Sequence, residues 1–216
     1  MKLLKILLEQ EKILVPRRIE GRPEKHIRAT QQRIQQYIKD GSKGDLNFKG
    51  TPITSLPDNL KSVGGNLNLQ GTPIESLPDN LKYVGGYLDL QGTPIKSLNN
   101  LKYIKGHLFV SASEITSLPN NLKVGGSISF KETPIRSLPD NLEIGGNLSL
   151  TNTPIKSLPD NLEVIGSLSV ANTPITSLPD NLKVGEDLYV FKSPLAGKYT
   201  DEEIRNLADI GGKIIR

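Results

Sequence analysis

Apolar residues recur along this chain in one repeated phrase. In GGNLNLQGTPIESLPDNLKYV, residues 64–84, Leu67 and Leu69 alternate with polar neighbours. Ile74 follows a turn-forming Gly-Thr-Pro, and Leu77 and Leu81 flank Pro-Asp-Asn. The pairs Leu67/Leu69, Leu88/Leu90, Ile128/Phe130 and Leu148/Leu150 have the period of two that marks a short strand with one buried face. Isoleucines at 53, 74, 95, 115, 135, 155 and 175 are predicted to turn inward after each strand. The anchors Thr51, Thr72, Thr93, Ser113, Thr133, Thr153, Thr173 and Ser193 are spaced by 21, 21 and then 20 residues. So short a unit has no room for a strand, two turns and a full α-helix. The return segment is therefore predicted to be extended or 3₁₀, a geometry suited to Pro57, Pro78, Pro139, Pro159 and Pro179. No unit buries its Leu/Ile set alone, so the units must stack.

The pattern over residues 45–195 resembles the leucine-rich-repeat consensus LxLxxNxLxxLP, at the short end of that family's period. The Gly-Gly pairs and the Thr-Pro-Ile turn are also similar to short repeat proteins encoded by bacteria and bacteriophages. The resemblance implies a β-rich horseshoe with about eight strands in a concave parallel sheet. It also implies binding rather than catalysis, in the cytoplasm of a bacterial host cell or associated with a virion. One departure stands out. The family carries an Asn whose amide forms a ladder at the turn after each strand, and this chain carries Thr or Ser. Thr51, Thr72, Thr93, Ser113, Thr133, Thr153, Thr173 and Ser193 are the expected substitutes, with hydroxyls as donors and acceptors.

The ends need covering. Residues 1–43 read as a basic helical N-terminal cap, 44–195 as the repeats, and 196–216 as a C-terminal cap helix with a possible last strand at 213–216. PEKHIRATQQRIQQYIK, residues 23–39, places Ile27, Ile34, Tyr37 and Ile38 on one helical face, and Gly41 stops it. A further short helix is expected at residues 2–9. Thr200 and Glu203 form a capping box for a helix whose apolar residues are Ile204, Leu207 and Ala208.

Composition narrows the chemistry. The chain has no cysteine, which excludes disulfides, thiolate zinc sites and cysteine nucleophiles. The stretch Leu3–Leu8 is too short and too charged at its flanks for a signal peptide, and no segment has the apolar length of a membrane span. Residues 1–43 hold 11 Lys/Arg against 5 Asp/Glu, a net of +6, while the remaining 16 basic and 18 acidic residues give −2. Arg17, Arg18, Arg22, Lys25 and Arg28 are the densest part of this basic segment. Contact with a nucleic-acid backbone, docking on an acidic protein surface and a solvated cap face all account for them.

Neither His26 nor His107 has a catalytic neighbour in sequence, and no zinc spacing, nucleophile elbow or phosphate-binding loop is present. The expectation is a non-enzyme with no cofactor and no metal. The row Asp58, Asp79, Asp140, Asp160, Asp180 reads as solvated turn residues rather than a calcium site.

Three outward columns of the predicted sheet carry the candidate binding residues. The first is Asp45, Asn66, Tyr87, His107, Ser127, Asn147, Ser167, Asp187; the second is Asn47, Asn68, Asp89, Phe109, Ser129, Ser149, Ser169, Tyr189. The third is Lys49, Gln70, Gln91, Ser111, Lys131, Thr151, Ala171, Phe191. Tyr87, Asp89, His107 and Phe109 cluster on adjacent strands, and Tyr189 with Phe191 forms a second group. In a chain only 5% aromatic such clusters suggest a partner surface. The competing readings are cross-strand stabilisation for the first group and cover by the C-terminal cap for the second. Strands about 4.8 Å apart give a sheet roughly 34 Å long, enough for a protein interface.

Overall fold

The computed structural model describes residues 23–216. They form a parallel β-solenoid in which each full turn contributes two strands of two residues. The Leu-x-Leu strands, from Leu46–Asn47 to Ile214–Ile215, stack in chain order into a first sheet of nine. The register is strict, with Leu67 opposite Leu46 and Leu88, and so on through Leu188 and Ile214.

The return segment takes the extended one of the two expected forms and adds a sheet that was not expected. It is extended and turned, with no 3₁₀ helix among the described residues, and it ends in a second parallel sheet of eight strands, from Ser62–Val63 to Asp209–Ile210. Val63, Val84, Ile104, Val124, Ile144, Val164, Val184 and Ile210 face the interior here, none more than 7% exposed. These β-branched residues suit a pleated surface, but two-residue strands are too short to show an alternation in sequence.

Each Gly pair marks the corner between the two sheets, where neighbouring backbones nearly touch. A Cβ added at Gly146 would lie 2.6 Å from Ser127 Oγ and 2.9 Å from the Gly126 carbonyl carbon. A different constraint acts after the first-sheet strands. Gly50, Gly71 and Gly92 have φ of 64–65°, and in later turns Ala112, Glu132, Asn152, Asn172 and Lys192 hold the same left-handed backbone.

The anchor hydroxyls bond within their own turns. Thr133 Oγ1 donates to the Phe130 carbonyl at 2.7 Å, and that carbonyl also takes the Thr133 amide at 3.0 Å. Thr51, Thr72, Thr93, Ser113, Thr153, Thr173 and Ser193 make the same hydroxyl bond at 2.6–2.7 Å. All but Thr51 are buried. The column repeats a bond inside each turn and does not link one turn to the next.

Helix α1, Pro23–Lys39, lies at the start of the solenoid, with Ile34 1% exposed and Tyr37 and Ile38 packed on the core. The Tyr37 hydroxyl donates toward the Ser42 and Gly44 carbonyls and accepts the Gly64 amide at 3.0 Å. Burial raises its pKa, against the lowering effect of the Gly64 bond. The helix expected at residues 2–9 lies outside the described residues.

At the other end α2, Pro194–Lys198, and α3, Asp201–Leu207, replace the extended return of the last turn. That turn is lengthened to 26 residues between the paired Leu188 and Ile214. The Thr200–Glu203 capping box is formed, and the Thr200 amide and hydroxyl hold the Glu203 pKa below its ordinary value. Ile204 and Ala208 are buried, but Leu207 is 43% exposed, contrary to its expected place in the core. Leu207 is the last residue of the helix, and it is Ala208, the extended residue that caps it, that turns back onto the core.

Arg205 closes the second sheet. Its guanidinium donates to the Ile210 and Gly212 carbonyls at 2.8 and 2.6 Å. One turn earlier the equivalent carbonyls, of Val184 and Glu186, accept the Gly211 and Gly212 amides. The side chain stands where the next turn's backbone would.

Candidate functional site: the outward face of the first sheet

The three outward columns are aligned by the strand register, but they do different jobs. In the first column, each side chain but that of Tyr87 reaches the backbone amide of its successor in the next turn. Asp45 Oδ1 accepts from Asn66 N at 2.7 Å, Asn66 Oδ1 from Tyr87 N at 2.9 Å, and His107 Nδ1 from Ser127 N at 2.9 Å. Ser127 Oγ, Asn147 Oδ1, Ser167 Oγ and Asp187 Oδ1 continue to the amides of Asn147, Ser167, Asp187 and Lys213. This is the ladder between turns. It runs through Asp, Asn, Ser and His, in a column that sequence reading assigns to the partner.

The ladder explains the second glycine of each pair. A Cβ at Gly86, Gly126, Gly146, Gly166 or Gly212 would collide with Asn66, His107, Ser127, Asn147 or Asp187, the side chain that makes the rung. Glu186 occupies this glycine position in one turn. Its rung, Asp187 N to Ser167 Oγ, is the longest at 3.3 Å, and Ser167 also donates to the Glu186 carboxylate.

Tyr87 breaks the series. No acceptor on its side chain meets the His107 amide, so the step between these two turns has no rung. His107 itself serves as a rung toward Ser127. With Nδ1 accepting, the ring proton is assigned to Nε2, which leaves that edge free to donate outward. The residue is half structural, a role that its place in the expected binding cluster does not reveal.

The four residues of the cluster do share one patch. The Tyr87 and Phe109 rings lie edge to face with centroids 6.1 Å apart, and His107 stacks on Phe109 at 5.6 Å. Asp89 is opposite Phe109 in the ladder and is only 8% exposed. Its Oδ1 accepts the Gln91 amide at 3.0 Å, repeating the turn that Asn68 makes with Gln70. Burial raises the Asp89 pKa, opposed by the Gln91 amide and the Lys49 charge.

The second group is looser. Phe191 is 37% exposed and Tyr189 is half-buried, so the C-terminal helices do not cover Phe191. Tyr189 points its hydroxyl toward Asp187 at 3.5 Å, and no ring contact joins Tyr189 to Phe191.

Of the basic segment, Lys25 and Arg28 belong to α1 and Arg28 is exposed, while Arg17, Arg18 and Arg22 lie outside the described residues. Asp58, Asp79, Asp140, Asp160 and Asp180 are exposed. Among the described residues no group of three or more His, Asp or Glu is arranged to hold a metal ion, and no helix is long and apolar enough to cross a membrane.

Sequence reading passes over one further aromatic pair. Tyr83 and Tyr103 stack on the second sheet, centroids 5.5 Å apart and planes 19° from parallel. Their shared place just before Val84 and Ile104 is the signal, visible only once the second sheet is known. A comparison with protein-family models and with curated proteins finds no match to this chain.

Proposed function

We propose that the chain is a non-catalytic protein-binding module of leucine-rich-repeat type, whose first sheet forms the concave face presented to a macromolecular partner. The observation that carries this reading is Tyr87. Every other side chain in its column from Asp45 to Asp187 serves as a rung, and Tyr87 alone gives one up. A residue that forgoes a backbone hydrogen bond, worth about 1 kcal/mol, and adds a half-exposed ring to an aromatic patch fits binding better than architecture.

The test uses affinity capture from the native host with the wild type and Phe109→Ser, followed by calorimetry on the protein recovered. Ser is the residue of the same column at 129, 149 and 169, so the fold should tolerate it. Loss of at least about 2 kcal/mol of affinity with an unchanged melting temperature supports the reading. Unchanged capture overturns it. Recovery of capsid or tail proteins would make the module an accessory subunit of a virion. Nuclease-sensitive recovery would replace the protein partner with nucleic acid.

A further inference from the structure

The patch holds an acid that stands outside the ion pairs of the described residues. Asp89 is more than nine-tenths buried, yet it belongs to none of the ion pairs among the described residues, which are Lys123–Glu143, Lys131–Glu132 and Arg216–Asp201. One carboxylate oxygen holds the Gln91 amide, and the other, which takes no hydrogen bond, stays reachable from solvent. Ring surface lies beside it: Phe109 stands opposite in register, and Tyr87 and His107 pack on Phe109. A largely buried carboxylate in no ion pair is uncommon, because such charges ordinarily find a partner, and here only the Lys49 charge acts on it from beyond salt-bridge reach. Architecture does not require the charge either. Asn47 and Asn68 hold the same position in the two preceding turns and make the same turn bond.

From this geometry we propose that Asp89, Tyr87, His107 and Phe109 form a receptor for the guanidinium of an arginine side chain. The assignment rests on the first sheet being the partner-facing surface, and it names the chemistry that the partner must present. A guanidinium meets each feature at once. Its planar fork donates to the free carboxylate oxygen, and its face stacks on aromatic rings. An ammonium would satisfy the charge but would leave the flat ring surface poorly covered. A neutral or anionic group would leave Asp89 buried and unpaired.

The experiment titrates isotopically labelled full-length protein with Nα-acetyl-arginine amide and, separately, with Nα-acetyl-citrulline amide, which has nearly the same shape and no charge. Amide resonances of Gln91, His107 and Phe109 are followed by NMR. The arginine probe is expected to shift them saturably in the millimolar range, with citrulline binding at least about tenfold more weakly. Asp89→Asn keeps the turn bond, as Asn68 shows, and should abolish the difference between the two probes. Equal shifts from both probes, or arginine binding retained in Asp89→Asn, overturns the inference. Absence of any shift at tens of millimolar does so as well. The module reading fails separately: if Phe109→Ser removes the captured partner while the arginine probe does not bind, only the guanidinium assignment is lost.

Discussion

Two stretches of the first sheet lie a few strands apart and are built to different standards. In the turns from Ser127 to Ser169 the first column is Ser-Asn-Ser, the second is Ser-Ser-Ser, every rung is made, and hydroxyl pairs such as Ser111–Ser129 and Thr151–Ser169 tie neighbouring columns together. In the turns from Asn66 to Phe109 the side chains are larger, one carboxylate is largely buried outside any ion pair, and one rung is missing. The uniform stretch shows what a turn needs in order to stack. Whatever the other stretch adds beyond that is free to serve something outside the fold.

The contrast can be broken hardest at the corner. Gly146→Ala in the uniform stretch places a methyl on the Ser127 rung and the Gly126 carbonyl, and should lower stability by about 3 kcal/mol in a denaturant titration. A loss below 1 kcal/mol would mean that the corner opens easily. Removing a rung is a smaller insult: Asn147→Leu leaves the Ser167 amide without its acceptor and should cost roughly 1–2 kcal/mol.

Thr133→Val removes a buried hydroxyl of nearly the same shape. The Phe130 carbonyl keeps the Thr133 amide, so the expected loss is near 1 kcal/mol. An unchanged midpoint would show that the hydroxyl bond contributes nothing net. At Tyr87 the comparison sharpens, because there is no rung to lose. Tyr87→Leu and Tyr87→Asn forfeit the same ring contact, but Asn can restore the rung to His107 and should be the more stable of the two by about 1 kcal/mol. Equal stability would mean that the His107 amide is satisfied by water.

The smallest effect is set by pH. Because burial raises the folded-state pKa of Asp89, folding favours its protonated form. The stability attached to this proton is fully present below the unfolded pKa and is lost as pH rises through the folded one. Asp89→Asn should therefore gain stability relative to the wild type at neutral pH, and that gain should shrink as pH falls into the carboxylate range. A difference independent of pH would show that Asp89 is already well solvated.

The solenoid was legible because eight anchors from Thr51 to Ser193 repeat a period of two with its turn residues, and so was the capping box at Thr200 and Glu203. Three features were not legible, each for a physical reason. A strand of two residues has no alternation to read, so Val63 and Ile104 carry no strand signal of their own. The anchor threonines drew attention as ladder substitutes because they align, but alignment does not say whether a hydroxyl points along the stack or back into its own turn. The true rungs vary among Asp, Asn, Ser and His, and only acceptor geometry unites them. The Tyr87–Phe109 patch was readable as an aromatic cluster from strand register alone, whereas the burial of Asp89, with Asn68 and Phe109 on either side in register, was not.

Arg205 bears on how such a molecule behaves in a crowd of its own kind. A stack of identical turns resembles a growing polymer, and each exposed carbonyl row at its end is a propagating terminus open to any extended chain. By filling the Ile210 and Gly212 acceptors with a guanidinium, the protein end-caps the second sheet with its own side chain. A second molecule adding to this edge would first have to displace the guanidinium from both carbonyls.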